Sequence, residues 1–274
     1  MSELRDVRGP GALGGSWQRT RDLLYLIAVT EFKRTYFGTL LGYLWTLMRP
    51  LMLFGVLLAV FTQAFHLGTQ VPHYPVFLLL NIVLFGFFQE ASNSAVTSVV
   101  AKEGIVRKTQ FPRLVIPLAV VLTALFNLGL NLIVVFVFIL AYGVEPQWTW
   151  LLLPVLVAAL MLFTTAVSML TSSLYPRFRD VAIIWTVFST ALFYATPVLY
   201  PINKASDNLK AVIELNPLSP IFELVNKWII NPDAQGPIAL TGARLLIPIA
   251  IYVVTCVVAV WAFNREAPRI AEAL

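Results

Sequence analysis

Two stretches of this chain, residues 50–89 and 114–144, contain no Asp, Glu, Lys or Arg, and between them lies a basic island, K-E-G-I-V-R-K-T-Q-F-P-R-L-V-I-P at 102–117. About 20 apolar helical residues cross a bilayer core, so each stretch is long enough to do so. The island then reads as a short cytoplasmic loop joining two spans. The apolar runs are continuous, without period-two alternation, and in lipid only a helix satisfies every backbone group within one such run. The expected fold class is therefore all-α and polytopic in the membrane. Composition agrees: 59% of the residues are hydrophobic and 12% charged, where soluble domains run near half and a quarter.

Residues 1–15 form a charged, Gly-rich tail without the apolar core of a cleavable signal, so the first span is expected to act as its own membrane signal. Residues 16–30 carry only eight consecutive uncharged residues, Leu23 to Thr30. That is too short to cross, and it predicts an amphipathic helix in the inner interface with Trp17 and Tyr25 at headgroup level. Six spans follow, at about 38–65, 75–100, 117–142, 148–174, 181–200 and 245–263. The longest connection, 202–244, is not simply hydrophilic. It predicts a short helix at 207–215 and a second with Ser219 as N-cap, Pro220 at the first helical position, and Ile221, Leu224, Val225 and Trp228 at helical spacing. That apolar face is too large for a solvated loop and should fold back against the membrane edge. The chain thus divides into a tail with interface helix, 1–37, and a transmembrane domain, 38–274, containing the loop 102–117 and the outer segment 202–244. Fourteen of the 19 Lys and Arg fall on the predicted inner side, which places both termini in the cytoplasm.

Several function classes drop out. Cys256 is the single cysteine, so neither a disulfide framework nor a thiolate site is expected. His66 and His73 have no carboxylate or cysteine beside them and read as loop residues, with no metal expected. The basic excess follows the membrane topology and implies no nucleic-acid partner. No G-x-x-x-x-G-K-[ST], H-E-x-x-H or G-x-S-x-G motif occurs, so neither an ATP site nor hydrolytic catalysis is expected. Glu90 is the only acid within a predicted span, whereas ion-coupled carriers use several intramembrane carboxylates. A partner is expected to supply the energy.

Five segments occur in order: Y-F-G-T-L-L-G-Y-L-W at 36–45 followed by Pro50, I-V-R-K-T-Q-F-P-R-L-V-I-P at 105–117, Y-P-R-F-R-D-V at 175–181, P-V-L-Y-P at 197–201 and N-P-L-S-P-I at 216–221. Together they resemble the permease subunits of type-2 ABC exporters of lipid-linked polysaccharides such as O-antigens, teichoic acids and mycobacterial galactan. The resemblance implies a homodimeric pore in the bacterial inner membrane, completed by two copies of a separate ATPase subunit that holds ATP and Mg. It implies ATPase coupling through Ile105, Val106, Arg107, Lys108, Phe111, Pro112 and Arg113. The interface helix would flank a lateral opening for polyprenyl-pyrophosphate. An outer gate would involve Pro197, Tyr200, Pro217, Pro220, Phe222 and Trp228. Aromatic side chains can stack on the apolar faces of sugars, and the candidates for the passage are Tyr36, Tyr43, Trp45, Phe85, Phe88, Trp185, Phe193 and Tyr194, each of which could equally face lipid or pack between helices. Two other readings stand beside this one: an exporter of drugs or small lipids in the same superfamily, and a membrane enzyme acting on polyprenyl-phosphate. The second needs clustered acids or histidines at one membrane face, and the sequence lacks them.

The chain departs from the family pattern at Arg49, where a neutral polar residue, commonly Asn, is expected. Counted from Arg34 and Lys102, Arg49 and Glu90 lie at depths of roughly 22 and 18 Å. Two lone charges so placed are expected either to neutralise each other across antiparallel helices or, for Arg49 with Arg34 nearer the surface, to hold the pyrophosphate of a lipid carrier.

Overall fold

The computed structural model describes residues 17–36, 42, 44–102, 104 and 113–266, which are helices and short connections with no strand among them. The helices are α1 Trp17–Tyr36, α2 Leu44–Gln63, α3 Leu67–Gln70, α4 Tyr74–Ala101, α5 Val115–Ala141, α6 Leu153–Leu174, α7 Val181–Ala195, α8 Asp207–Leu215, α9 Ser219–Val225, α10 Pro237–Thr241 and α11 Leu246–Glu266. A 3₁₀ turn, Trp148–Leu152, leads into α6, and a π turn, Asn226–Ile230, extends α9.

Among the described residues, five helical stretches are long and apolar enough to cross a membrane: Leu44–Gln63, Tyr74–Ala101, Val115–Ala141, Trp148–Leu174 and Pro237–Glu266. They coincide with five of the expected spans because uninterrupted apolar runs leave the backbone no alternative to the helix. The remaining expected span, 181–200, is helical for 15 residues only. Pro197 explains the early end. A residue preceding proline is pushed out of the helical region, and Thr196 is extended at φ −102° and ψ 146°.

The subunit is built around α4. Of its apolar window 78% is buried, against 6% for α2, and α2, α5, α6 and α7 all pack on it. Apolar residues surround its first half, so the consecutive Phe77, Leu78, Leu79 and Leu80 all lie in one core with Leu160 and Phe163 of α6. An apolar helix such as α2 can stay uncovered within one subunit, because lipid tails are as apolar as leucine and leave no hydrophobic drive for helix association.

The interface helix docks lengthwise on α5. Leu23, Leu24 and Ile27 pack against Val99, Val115 and Ile116, and Thr123 donates to the Ala28 carbonyl at 3.2 Å. Glu31 meets Lys102 at 2.9 Å, tying α1 to the residue that follows α4. Tyr25 and Leu26, both more than 60% exposed, occupy the opposite side. Helix α1 therefore has one apolar side packed on protein and another left exposed.

At the other end of the bundle, residues 196–245 form a folded cap. Helix α8 matches its expected bounds. Helix α9 begins at Ser219, so Pro220 is the second helical residue, and the Ser219 hydroxyl is buried without a partner instead of capping the helix. Ile221, Phe222, Val225, Ile229 and Ile230 all reach into the main core. The segment has folded back onto the bundle.

Candidate functional site

Within the well-packed α4, one stripe stays uncovered. Glu90, Ser94 and Thr97 are exposed on a helix whose other faces are buried, and at spacings of four and three they lie above one another on one face. Glu90 accepts a 2.6 Å hydrogen bond from Asn127 Nδ2 of α5, and Asn131 donates to the Asn127 carbonyl at 2.9 Å. Polar residues continue across to α7. Asn93 Nδ2 donates to Ser189 Oγ at 3.3 Å, Trp185 Nε1 donates to Ser92 Oγ at 3.1 Å, and Thr186 and Thr190 stand exposed. Both threonine hydroxyls donate to carbonyls one turn back, at 2.8 and 2.9 Å, which leaves oxygen lone pairs turned outward.

Arg49 is exposed on α2, one turn from the start of that helix and just before Pro50. Its charge reaches Glu90, but among the described residues it forms no ion pair, and the hydrogen bond to Glu90 comes from Asn127. Arg34 is exposed in the last turn of α1 beside Lys33, where cations complement the helix dipole. An exposed Arg and an exposed Glu inside apolar helices cannot face hydrocarbon without a cost of several kcal/mol. This edge of the subunit must meet water, a polar cargo or another protein surface.

The aromatic candidates separate into two groups. Phe85 and Phe88 are fully buried and hold the interior together: Phe85 meets Phe193 and Phe222 at 5.2 and 6.2 Å, and Phe88 meets Phe163 and Trp185 at 6.0 and 6.2 Å. The fold thus places these two in packing within the subunit. Trp45 and Tyr194 are half exposed, while Trp185 and Phe193 sit at the edge of the core. Tyr43 and the side chain of Tyr36 lie outside the described residues. So do Ile105, Val106, Arg107, Lys108, Phe111 and Pro112 of the basic island. Arg113, the described member of that set, is buried.

The outer candidates are brought together by bonds that the sequence did not announce. Asn216 Nδ2 donates to Thr196 Oγ1 at 2.7 Å and to the Ala195 carbonyl at 3.1 Å, while its Oδ1 accepts from the Leu218 amide at 2.9 Å. Asn216 therefore closes the end of α7 and starts the turn, holding Pro217, into α9. Tyr74 donates to the Leu199 carbonyl at 2.9 Å, and Tyr200 donates to the Tyr194 carbonyl at 2.7 Å. These bonds fix Pro197 and its neighbours between α4 and α7. Trp150 Nε1 donates to the Ile229 carbonyl at 3.0 Å, and Thr149 donates to the Trp228 carbonyl. The turn before α6 thereby clamps the π turn. Pro220 and Phe222 belong to the same cap. Asn127, Asn93 and Ser189 were not anticipated, and Asn216 was singled out only as the first residue of the N-P-L-S-P-I segment.

A helical chain with several apolar helices long enough to cross a membrane and a polar, uncovered edge along one of them suits a membrane transport protein. Residues 22–229 match the family model described as ABC-2 type transporter, and this chain belongs to that family. It is similar to the O-antigen export system permease protein RfbA of Klebsiella pneumoniae, 28% identical over 258 residues covering 92% of this chain and 95% of the relative. It is also similar to the permease of the same name from Myxococcus xanthus, 29% identical over 83% of this chain and 88% of the relative. The polysialic acid transport protein KpsM of Escherichia coli is 24% identical over 80% of this chain and 88% of the relative.

Proposed function

We propose that this chain is the membrane subunit of an ATP-driven exporter that carries a polyprenyl-pyrophosphate-linked polysaccharide from the cytoplasm to the outer side of the bacterial plasma membrane. The observation that carries the reading is the uncovered polar stripe of Glu90, Ser94 and Thr97 on α4, flanked by Arg49 and by the hydroxyls of α7. A glycan is rich in hydroxyls along its whole length. It needs a wall of hydrogen-bonding groups within the membrane, and a surface built from side-chain amides, hydroxyls and one carboxylate offers both donors and acceptors. The printed names of the relatives, which concern O-antigen and polysialic acid, favour a polysaccharide cargo.

In this reading two copies of the chain face one another across the polar edge, α7 serves as a sixth, short span, and both termini are cytoplasmic. Two copies of an ATPase subunit bind ATP and Mg and engage residues 105–112. There Ile105, Val106 and Phe111 serve as apolar anchors, and Arg107 and Lys108 meet acidic groups or lipid phosphates. The cap formed by 196–245 is the outer gate, moving against membrane lipids.

The test is reconstitution of the chain with its ATPase in vesicles holding lipid-linked glycan. ATP-dependent appearance of glycan on the opposite leaflet is expected. A complex that hydrolyses ATP and assembles normally but moves no glycan would refute the reading.

A further inference from the structure

The outer cap encloses a cavity of about 440 Å³ between the connection before α4, the residues after Pro197, α9 and the residues following the π turn. That size falls in the range of small-ligand pockets, about 300–1,000 Å³. Its lining includes Gln70, Asn203, Glu223, Asn226 and Asn231, with Phe222 among the apolar wall residues. Glu223 is 93% buried by exposure of 7%, yet its Oε2 has no hydrogen-bond partner. No side-chain hydrogen bond joins Gln70, Asn203 or Asn226 to another described residue, and Asn231 uses only its Oδ1, accepting from the Asp233 amide at 3.2 Å. A buried polar atom left without a partner costs about 1–3 kcal/mol, and Glu223 lines the cavity, so a ligand that brings a hydrogen-bonding group to this carboxyl as the side chain turns recovers that cost.

The chemistry of the wall narrows what that is. A divalent cation wants several carboxylates, and no group of three acids, histidines or cysteines occurs among the described residues. The two acids, Glu223 and Asp233, share the cavity with Lys204, whose charge opposes a cation. An anion would meet one lysine against those two acids. A purely apolar ligand would strand the amides. Side-chain amides supply donors and acceptors together, and a buried carboxyl adds either. Its carboxyl is pushed up to about 7 by burial, with the Glu214 charge adding to the effect, so near neutral pH it populates both forms. A polyhydroxylated ring with one apolar face uses all of these features. From this pocket we infer that the outer cap holds a binding site for a neutral hexose residue of the exported glycan, with Glu223 and Asn231 as its central hydrogen-bonding groups. The inference rests on the export reading for the origin of the sugar, but binding itself does not depend on transport.

Saturation-transfer difference NMR on the permease–ATPase complex in nanodiscs tests it, with free D-mannose, D-galactose, D-glucose, L-rhamnose and N-acetyl-D-glucosamine as probes. At least one sugar should receive saturation, and Glu223→Leu and Asn231→Leu should each weaken binding by about tenfold or more. Asn203→Ala and Gln70→Ala provide a second pair at exposed positions, where folding is not at stake, and should also weaken it. No transfer to any probe, or transfer unchanged in both pairs, overturns the site. ATP-driven translocation by the wild-type complex is scored in parallel. Translocation without sugar binding overturns the pocket and leaves the export reading standing, whereas sugar binding without translocation upholds the pocket and overturns the export reading.

Discussion

Asn127 donates a 2.6 Å hydrogen bond to the Glu90 carboxylate and so joins the middle of α5 to the uncovered stripe of α4. Asn127 itself is buried while Glu90 is exposed. The amide therefore acts as the fixed inner anchor, and the carboxylate keeps oxygen lone pairs free for whatever passes that edge. In a membrane the alternative for Glu90 is hydrocarbon, which makes the bond one of orientation as much as of stability.

A double-mutant cycle between these two residues should show coupling. Glu90→Leu and Asn127→Leu, alone and together, are expected to give an interaction energy of about 1 kcal/mol in detergent or bicelle unfolding, the scale of interhelical hydrogen bonds in membrane proteins. Strictly additive effects would show that the contact has no energetic weight.

Arg49 behaves differently in the structure, and its variants should too. It is exposed and without an ion pair among the described residues, so Arg49→Gln should leave dimer assembly and thermal stability unchanged while reducing glycan export. Exchanging the charges, Arg49→Glu with Glu90→Arg, should not restore export, because the two residues form no ion pair among the described residues that the exchange could rebuild. Full recovery of export in the exchanged protein would establish direct pairing and defeat this account.

The extent of the bundle was legible in the sequence because lipid imposes one rule on long uncharged runs: the spans around residues 74–101, 115–141 and 148–174 were bounded within a few residues. What escaped was anything decided by tertiary partners. Hydropathy runs on past Ala195, but Pro197 forces Thr196 out of the helix and Asn216 captures the freed carbonyl. Phe85 and Phe88 could be recognised as aromatic yet not assigned a face, since α4 is apolar on nearly every side and carries no periodic signal. Asn127 and Asn93 count as small interruptions in an apolar run, and only the fold shows that they meet Glu90 and Ser189.

The Asn216 strut is predicted to matter for stability. Asn216→Ala removes two donated bonds and one accepted bond at a buried position, which should cost about 1–3 kcal/mol. Asn216→Asp keeps the acceptor for Leu218 but loses the donors to Thr196 and Ala195, and should be no better. Thermal unfolding of both variants in one detergent checks this; a midpoint unchanged in each would mean the end of α7 is held by other contacts.

The pH dependence of the outer cap follows from Glu223. Burial, with the nearby Glu214 charge, raises its carboxyl from 4.5 to about 7, while Lys204 and Asp233 line the same cavity. Between those two values the folded protein holds a proton that the unfolded chain has released, so stability falls as pH rises. The contribution is fully present below pH 4.5 and is lost as pH passes about 7, a difference on the order of 3 kcal/mol. Glu223→Gln carries no ionisable proton and should lose this slope, becoming more stable than the wild type above pH 7 and little changed at pH 4.5. Arg244, whose side chain is 73% exposed, meets the mostly buried Glu214 at 3.2 Å, and its replacement should shift the curve by about 1 kcal/mol or less, because solvent screens the arginine end of the pair. Melting curves of wild type and Glu223→Gln between pH 4.5 and 8 decide the matter: converging curves at low pH support it, and curves that stay parallel across the whole range reject a buried proton at this site.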